Sequence, residues 1–366
     1  MSAERSRGGR GEPAIQLAHG GGGELTRRLL EELILPALGD AARPGDLADA
    51  ATLGVQAGQI AFTTDSYVVV PLEFPGGDIG RLSVCGTVND LAVCGAAPVG
   101  ISLALVIQEG LPLSLLRRLL ESAGRAAVEA GVPIVTGDTK VVERAACDGL
   151  IVNTAGVGKV HPRAALGAAR VRAGDVILLS GPLGEHGLAV MGTRSGLGLS
   201  LDLQSDVAPL WGMAAALLDE LGPDVHFMRD PTRGGLAATL VELSQSSGLG
   251  IEVREADIPV NRTAASAAAI LGLDLLGAAN EGKLVAAVAA DAADRAVAIL
   301  RRFDRAKHAA AIGTVGEAGE AGQADEAGQT GRAGPGSHAG FVEMLTRIGG
   351  RRMIQMPYGE ELPRIC

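Results

Sequence analysis

Short apolar runs alternate along the chain with segments in which apolar residues recur every three or four positions. The first pattern predicts buried strands and the second predicts amphipathic helices. The predicted strands cover residues 59–69, 100–107, 132–136, 150–160, 176–181 and 250–254, with a further strand entered at residues 280–285. The predicted helices cover residues 24–38, 82–93, 113–130, 186–195, 208–221 and 291–303, with another opened by residues 229–235 and ending at 243.

Strands and helices alternate in both halves of the chain, and acidic motifs follow strands in each half. We therefore expect an α+β fold of two related domains that face each other, residues 13–165 and 166–350. Residues 316–340 are rich in Gly, Ala, Glu and Gln and almost free of large apolar side chains, which predicts a disordered surface insertion. The Arg- and Gly-rich residues 1–12 are expected to form a disordered leader.

Composition narrows the class of protein. The 366 residues, 47% of them hydrophobic, are enough for two cores. A net charge of −10 and an aromatic content of 2% argue against a nucleic-acid partner, because phosphate binding needs clustered Lys and Arg and base stacking needs aromatic side chains. No apolar run approaches membrane-spanning length, so a cytoplasmic protein with a small-molecule or protein partner is expected.

The cysteines separate into three internal ones and one at the last position. Cys85 and Cys94 lie in apolar surroundings typical of buried thiols, and Cys147 forms no closely spaced cysteine pair with either. Cys366 ends residues 351–366, a tail whose prolines and glycine favour an extended, movable arm. Such an arm could carry sulfur to a partner or an active site, and a frayed terminus that happens to end in cysteine fits the pattern equally well.

Four aspartates in the first half, Asp65, Asp78, Asp90 and Asp138, lie in short Gly-, Ser- or Thr-flanked contexts. Converging carboxylates would bind Mg²⁺ that bridges nucleotide phosphates, although each aspartate alone is equally typical of a turn or helix cap. Lys140, which we place just beyond the strand at 132–136, could meet a phosphate or could be a solvated lysine. Neither a Walker A spacing nor a dinucleotide fingerprint is present, so any ATP would bind in an acidic, metal-bridged cleft.

The second half contributes two further motifs. Asp230, Thr232 and Arg233 precede a predicted helix whose N-terminus is a natural anion site, with Asp230 or Thr232 as the expected N-cap. Glu281, between Asn280 and Gly282, could act as a metal ligand or a base. The alternative explanation for both motifs is that their residues only cap a helix or form a turn.

Together these motifs resemble the HypE family of hydrogenase maturation proteins, in the superfamily of aminoimidazole ribonucleotide synthetase and selenophosphate synthetase. The terminal Pro363-Arg364-Ile365-Cys366 is the most specific match, followed by the motif at residues 136–142. The leader, the insertion at 316–340 and Cys94 depart from the family pattern. The matching stretches are residues 15–22, 62–68, 74–80, 85–92, 135–142, 153–156, 229–235, 280–285 and 362–366.

The resemblance implies a PurM-like fold and an ATP-dependent dehydratase that acts on its own C-terminus. A carbamoyl group on the thiol of Cys366 would be converted to a thiocyanate, the source of the cyanide ligand of the iron in [NiFe]-hydrogenase. By similarity, Asp65, Asp90 and Asp138 would hold Mg²⁺, Lys140 would neutralise charge near the transferred phosphoryl group, and Glu281 would help to remove the amide protons. The nucleotide would be bound by Asp65, Asp78, Asn89, Asp90, Asp138, Thr139, Asp230, Thr232, Arg233 and Asn280.

The resemblance also implies partners. These are a second copy of the chain, paired through the first-domain sheets, the carbamoyltransferase HypF as carbamoyl donor, and the HypC–HypD scaffold complex as nitrile acceptor. Two alternatives stay open: another ATP-dependent member of the superfamily, such as thiamine-phosphate kinase, and a non-catalytic scaffold whose tail is a docking peptide. The motifs do not fix whether the tail rests inside or outside the cleft.

Overall fold

Two β-sheets, one in each half of the chain, organise the computed structural model of this protein. The structure describes residues 13–16, 19, 28–42, 58–194, 202–317, 340–357 and 365. The leader, the polyglycine stretch, nearly all of the segment at 316–340 and Cys366 lie outside these residues.

The helices are short except for two in the first half, and no helix in the described part of the chain is both long and apolar enough to cross a membrane. A π-helical turn at Leu30–Ile34 runs directly into the short helix at Leu35–Leu38. The helices are α1 (Leu35–Leu38), α2 (Ile79–Val93), α3 (Leu113–Ala130), α4 (Glu185–Arg194), α5 (Trp211–Glu220), α6 (Gly235–Ser247), α7 (Arg262–Leu271) and α8 (Ala293–Leu300). The strands are β1 (Ile60–Tyr67), β2 (Glu73–Phe74), β3 (Gly77–Asp78), β4 (Ala96–Gln108), β5 (Ile134–Val142), β6 (Leu150–Val160), β7 (Val176–Leu179), β8 (Val225–Arg229), β9 (Ile251–Arg254), β10 (Val285–Val288), β11 (Ala310–Val315), β12 (Val342–Leu345) and β13 (Arg351–Ile354).

The first sheet has the order β1-β6-β4-β5, with β4 and β5 parallel and the other pairs antiparallel. Helix α2 packs on one face, and buried and half-buried positions accordingly alternate along β6. On the other face, Ile60 and Phe62 of β1 are 58% and 69% exposed. The edge strands are β1 and β5, and among the described residues the outer edge of β5 makes one isolated bridge, between Ile134 and Ala42.

The second sheet has the order β13-β12-β9-β11-β7-β10-β8. Leu178 and Ala286 pack into the same core as α5 and α8, whereas Ile177 and Val285 belong to the core that contains residues of α6. Helices therefore cover both faces, which explains why every residue of β10 is buried and why its sequence is continuously apolar.

The two domains share a core and a set of hydrogen bonds at one junction. Ala92 and Val93, at the end of α2, lie in the same buried cluster as Leu210 and Met213 of the second domain. Asn89 is completely buried, and its amide donates to the carbonyls of Ala208 and Glu281 at 3.0 and 3.1 Å. Its oxygen accepts from the backbone of Leu210 at 2.8 Å. Asn89 therefore joins the two domains through three buried hydrogen bonds.

Strand β5 is longer than the sequence pattern predicts. The expected strand ends at Thr136, but β5 continues to Val142, so Asp138, Thr139 and Lys140 lie within it and not beyond its end. Gly137 made the sequence look broken there, yet its backbone lies so close to β4 that a Cβ atom would meet the carbonyl oxygen of Leu103 at 2.1 Å. The glycine allows a close approach and does not end the strand.

Other elements were missing from the prediction. Strands β8, β11 and β12 and helix α7 were not predicted, since β8 carries two polar positions and β11 is mostly Ala and Gly. The expected flexible tail from residue 351 is wrong at its start, because residues 351–354 form β13, which pairs with β12 at the edge of the sheet.

Asn89→Ala should destabilise the protein by about 3 kcal/mol or more, since three buried backbone groups would lose their partners at ~1–3 kcal/mol each. Urea denaturation of the full chain measures the change. Asn153→Ala is the control, because Asn153 is half-buried and joins β6 only to β1 of the same sheet, through Asp65 at 2.8 Å. That variant should lose about 1 kcal/mol. Equal losses in the two variants would contradict the importance of Asn89 at the junction.

Candidate functional site

A cleft with a volume of about 660 Å³ lies between the two domains. One wall consists of β1 and α2 of the first domain, and the other consists of β8 and the loop that follows it. Glu281 also lines the cleft, next to the junction that Asn89 holds. The volume is in the range typical of sites for small ligands and cofactors.

The alternation of β1 turns its polar side chains into this cleft. Thr63, Asp65 and Tyr67 occupy every second position and share the less exposed side of the strand. Asp90 extends from α2 towards the same wall, and its carboxylate accepts a 2.7 Å hydrogen bond from the Thr63 hydroxyl. Asp65 and Asp90, which the sequence analysis predicted as metal ligands, therefore line one site.

The second-domain wall differs in detail from the sequence prediction. Helix α6 starts at Gly235, and its N-cap is Gly234 in the left-handed region with φ 74°. The expectation that Asp230 or Thr232 caps this helix is therefore wrong. A Cβ atom at Gly235 would lie 2.5 Å from the carbonyl of Leu276, so tight packing against that segment fixes where the helix can begin.

The residues before α6 consequently form a loop that faces the cleft. Asp230 is buried, Thr232 is half-buried and Arg233 is exposed, and all three line the cleft. The Arg233 guanidinium lies 3.8 Å from the carboxylate of Asp65, which connects the two walls.

Glu281 is the most buried acidic side chain of the cleft, with 2% of its surface exposed. Its backbone N–H and that of Gly282 donate to the two carboxylate oxygens of Asp206 at 3.1 and 3.2 Å. Gly282 is required there, because a Cβ atom would lie 1.9 Å from the Asp206 carbonyl oxygen. Among the described residues, Oε1 of Glu281 has no hydrogen-bond partner.

Tyr67 presents a second buried polar atom to the cleft. Its ring is 1% exposed, and its hydroxyl forms no hydrogen bond of normal geometry within the described ranges. Buried polar groups without partners are rare and costly in folded proteins. Two of them in one acidic cleft indicate a site that a polar ligand completes.

The carboxylates of the cleft retain protons more readily than free carboxylates do. Burial, reinforced by the Asp90 charge, raises the pKa of Asp230 to about 7. Burial also raises the pKa of Asp90, with Asp65 adding to the effect, and it raises the pKa of Glu281 well above its usual value. Positive charge entering the cleft would reverse these shifts, because it stabilises the ionised forms.

The donor set fits a nucleotide-bridged cation better than a cation held by protein alone. No group of three His, Cys, Asp or Glu side chains in the described part of the chain could by itself hold a metal ion. Mg²⁺ in nucleotide sites typically uses one or two carboxylates together with phosphates and water, which Asp65 and Asp90 could provide. Arg229 and Arg233 line the same cleft and supply positive charge for phosphates.

Five of the predicted nucleotide ligands lie outside the cleft lining: Asp78, Asn89, Asn280, Asp138 and Thr139. Asp78 is the N-cap of α2 and accepts from the Arg81 backbone at 2.9 Å. Asn89 and Asn280 are both fully buried, and backbone groups engage their amides. A role for these residues in nucleotide binding stays a prediction.

Asp138, Thr139 and Lys140 lie apart from the cleft of their own chain. They are on the edge strand β5, and the register places Asp138 and Asp65 at about the same level, three strands apart. Adjacent strands are about 4.8 Å apart, so the separation is roughly 14 Å. Asp138, Thr139 and Lys140 are therefore not brought to the cleft of their own chain, and their predicted roles stay predictions. Cys366 lies outside the residues that the structure describes.

Sequence reasoning missed Thr63, Tyr67 and Asp206. The first two could have been found, because the two-residue period of a strand places them on the same side as Asp65. Asp206 follows a stretch with no recognisable motif, and only the fold brings it to Glu281. Cys94 was expected to be buried but is exposed at the rim of the cleft.

Asp230→Asn should remove part of the pH dependence of stability. The folded protein binds the Asp230 proton up to about pH 7 whereas the unfolded chain releases it near 3.8, so raising the pH through this window costs stability. A pKa shift from 3.8 to about 7 corresponds to roughly 4 kcal/mol of stability lost as the pH rises through this range.

Thermal or urea denaturation between these pH values measures the difference from wild type. The Asn variant should gain stability relative to wild type as the pH rises, whereas Asp202→Asn, at an exposed site, should give a flat difference. If the difference in stability between Asp230→Asn and wild type did not change with pH, the Asp230 carboxyl of the wild-type protein would be ionised throughout this range, and the prediction would be wrong.

Comparison with known proteins places the chain in a family. Residues 47–160 match the family model "AIR synthase related protein, N-terminal domain", and residues 172–324 match the corresponding C-terminal domain. The carbamoyl dehydratase HypE of Rhodobacter capsulatus is 44% identical over 96% of this chain and 98% of its own length.

Solved structures of HypE proteins are similar to this chain as well. A crystal structure of hydrogenase maturation protein HypE in complex with ATP has a TM-score of 0.87 and 44% identity, covering 96% of this chain and 99% of that one. A HypE chain from a crystal structure of a HypE–HypF complex has a TM-score of 0.74 and 41% identity, covering 81% and 90%. Matches of this extent over both domains show that the chain belongs to the AIR synthase related proteins and, within them, to the HypE family of carbamoyl dehydratases.

Proposed function

We propose that this protein is an ATP-dependent carbamoyl dehydratase whose substrate is an S-carboxamide on its own Cys366, and that its product is a thiocyanate. The observation that carries this proposal is Glu281, a buried carboxyl with a raised pKa and an unpartnered oxygen in an acidic interdomain cleft. An amide that must lose two protons needs a positioned base. Without a nearby positive charge the Glu281 carboxyl retains its proton, and the charge of bound Mg²⁺ would favour the ionised form that accepts the amide protons.

The reaction balances in two steps. The carboxamide oxygen attacks the γ-phosphorus of ATP, ADP leaves, and the nitrogen loses one proton to give a phosphorylated imidate. The C–O bond then breaks, phosphate leaves with the oxygen, and the nitrogen loses its second proton to give S–C≡N. The water that is formally removed therefore ends as an oxygen of phosphate, which explains the need for ATP.

Within this sequence, Glu281 would accept protons from the amide nitrogen. Asp206 holds the backbone of Glu281 and Gly282 through both carboxylate oxygens, so the carboxyl is fixed before substrate arrives. Positioning of this kind contributes strongly to phosphoryl transfer and proton removal, because the groups need no reorganisation in the transition state.

Asp65 and Asp90 would hold Mg²⁺ together with the phosphates, and Asp230, Thr232 and Arg233 would line the nucleotide on the second-domain side. Mg²⁺, when bound, neutralises charge that develops on the transferred phosphoryl group. Arg229 and Arg233 supply positive charge along the same wall.

Asp138, Thr139 and Lys140 fit the proposal if the protein is a homodimer. No strand of the described chain pairs with the outer edges of β1 and β5, apart from one isolated bridge between Ile134 and Ala42. Ile60 and Phe62 are exposed apolar residues on the face away from α2. Pairing of two such sheets would place β5 of one protomer near β1 of the other. Asp138 and Lys140 would then contribute to the partner's cleft, where Asp138 could complete the metal ligands and Lys140 could meet the phosphoryl group.

The proposed partners follow from the reaction. A HypF-type carbamoyltransferase would load the thiol, and a HypC–HypD complex would accept the nitrile. The setting would be the cytoplasm, where thiols stay reduced, and the three cysteines in the described ranges form no disulfide.

Two other functions compete with this one. A kinase or synthetase of the same superfamily would use the acidic cleft but would have no use for a terminal thiol. A scaffold with a docking tail would have no use for a buried base. Glu281 and Cys366 together favour the dehydratase.

Cys366→Ala should abolish both modifications of the tail. The full-length protein is first carbamoylated by its transferase and carbamoyl phosphate, isolated free of nucleotide, and then given ATP and Mg²⁺. Intact-mass analysis should detect a carbamoyl adduct that loses one water only after ATP is added. Cys147→Ala is the matched control and should behave as wild type. A water loss that persists in Cys366→Ala would refute the proposal.

Glu281→Gln and Asp90→Asn should separate loading from dehydration. Both variants should accept the carbamoyl group, since loading takes place on the partner. Dehydration should slow by about 10²–10⁴-fold in Glu281→Gln, the usual contribution of a positioned base. It should also slow in Asp90→Asn, which loses a proposed Mg²⁺ ligand. Asp257→Asn, at an exposed site in the second domain, is the control. Single-turnover mass measurements on isolated carbamoylated protein give the rates. Wild-type dehydration in both variants would remove these residues from the mechanism.

A further inference from the structure

The residue before the terminal cysteine is buried in the protein. Ile365 is 4% exposed and belongs to the same buried cluster as Val190, Val207 and Ala279. A frayed terminus would leave this side chain in solvent, so the end of the tail has a defined binding place. We use the name tail seat for Phe74, His186 and Ser205. His186 contacts Ile365, and Phe74 and Ser205 contact His186.

His186 makes the one polar contact that the structure gives for Ile365. Its Nε2 lies 2.7 Å from the Ile365 carbonyl oxygen, and its Nδ1 lies 2.8 Å from the Ser205 hydroxyl. The ring is completely buried, with Phe74 in an edge-to-face arrangement at 5.3 Å between ring centres. Three elements therefore hold the imidazole in one orientation.

The hydrogen bonds also fix which nitrogen carries the proton. A carbonyl oxygen only accepts, so Nε2 must donate, and in a neutral ring Nδ1 must then accept from Ser205. The Ser205 hydroxyl oxygen in turn accepts from the Val207 backbone at 3.2 Å. Burial lowers the pKa of His186, which favours the neutral ring that this chain of donors requires.

The tail seat is connected to the proposed base by a short path. Ser205 is followed directly by Asp206, whose carboxylate holds the backbone of Glu281 and Gly282. Ala279, which shares a buried cluster with Ile365, is two residues before Glu281. The Cα atom of Cys366 must lie about 3.8 Å from that of Ile365, because one trans peptide bond joins them.

We propose that His186 is the positioning residue of the tail: its Nε2–H holds the Ile365 carbonyl and thereby fixes the residue that directly precedes Cys366. This inference rests on the proposed function, because it assigns the tail seat to the substrate of that reaction. His186 takes no part in bond making and acts through the backbone of the residue before the thiol. Anchoring the carbonyl next to the reacting residue leaves the Cys366 side chain free to carry either a carboxamide or a nitrile.

The direct test measures how fast N-ethylmaleimide alkylates Cys366 in the full-length protein without nucleotide or partner, by peptide mass analysis. Wild type should react slowly. His186→Phe keeps an aromatic ring but cannot donate, and it should react up to about tenfold faster, the factor expected for one lost buried hydrogen bond. His186→Gln should restore slow alkylation, since its amide N–H can reach the same carbonyl. Equal rates in wild type and His186→Phe would overturn the proposal.

His226→Gln is the matched control. His226 is also buried, and its Nδ1 lies 2.7 Å from Asp175, but it lies in β8 and Asp175 precedes β7, away from the tail seat. Its substitution should lower stability without accelerating alkylation of Cys366. If His226→Gln exposed the thiol as strongly as His186→Phe does, general loosening would explain both results and the proposal would fail.

A second measurement separates this inference from the proposed function. With isolated carbamoylated protein and saturating ATP, dehydration in His186→Phe should be about tenfold slower, with an unchanged KM for ATP and with rescue in His186→Gln. Fast alkylation together with wild-type dehydration would mean that the tail seat is not the reactive position, and would overturn the positioning role. If wild type itself fails to dehydrate, the proposed function fails, whereas the alkylation series still decides whether His186 anchors the tail.

Discussion

The carboxylate of Asp206, which holds two consecutive backbone N–H groups, is the interaction on which the site depends. Its oxygens accept from Glu281 and Gly282, and they lie 3.3 Å from the ammonium of the buried Lys283. Lys283 also pairs with Glu185 at 2.9 Å, so the buried charges are compensated. Without this anchor, the base, the nucleotide wall and the tail seat would not keep their relative positions.

Burial at this junction explains both the cohesion of the domains and the chemistry. The amide of Asn89 replaces water for three backbone groups, and its own hydrogen-bonding capacity is used in doing so. Nearby, Glu281 has the same low exposure but no partner for one oxygen. The paired amide of Asn89 stabilises the fold. The unpaired oxygen of Glu281 leaves a reactive carboxyl without a hydrogen-bond partner. A protein tolerates such an unsatisfied group where binding or catalysis completes it.

Local patterns in the sequence were enough for the fold class and for most helices; α3, for example, has a clear apolar periodicity and a glycine, Gly131, at its C-cap. They failed where a single glycine had more than one meaning, as at Gly137, where close packing continues a strand that the pattern would end. The motif aspartates were found, and the resemblance assigned Asp65 and Asp90 to one metal site, but the local pattern did not show that Asp78 caps a helix. His186 and Asp206 were missed because each is an isolated polar residue whose partners are far away in the chain. Only the tertiary structure brings these partners together.

The burial of Ile365 limits how the protein can be handled. An affinity tag or any other fusion after Cys366 would continue the chain one residue beyond Ile365, whose side chain and carbonyl are already enclosed. Such an extension would either displace the last residues or be forced into the junction between the domains. Fusions at the other terminus avoid this conflict, so the position of a purification tag decides whether an isolated sample retains its native C-terminal arrangement.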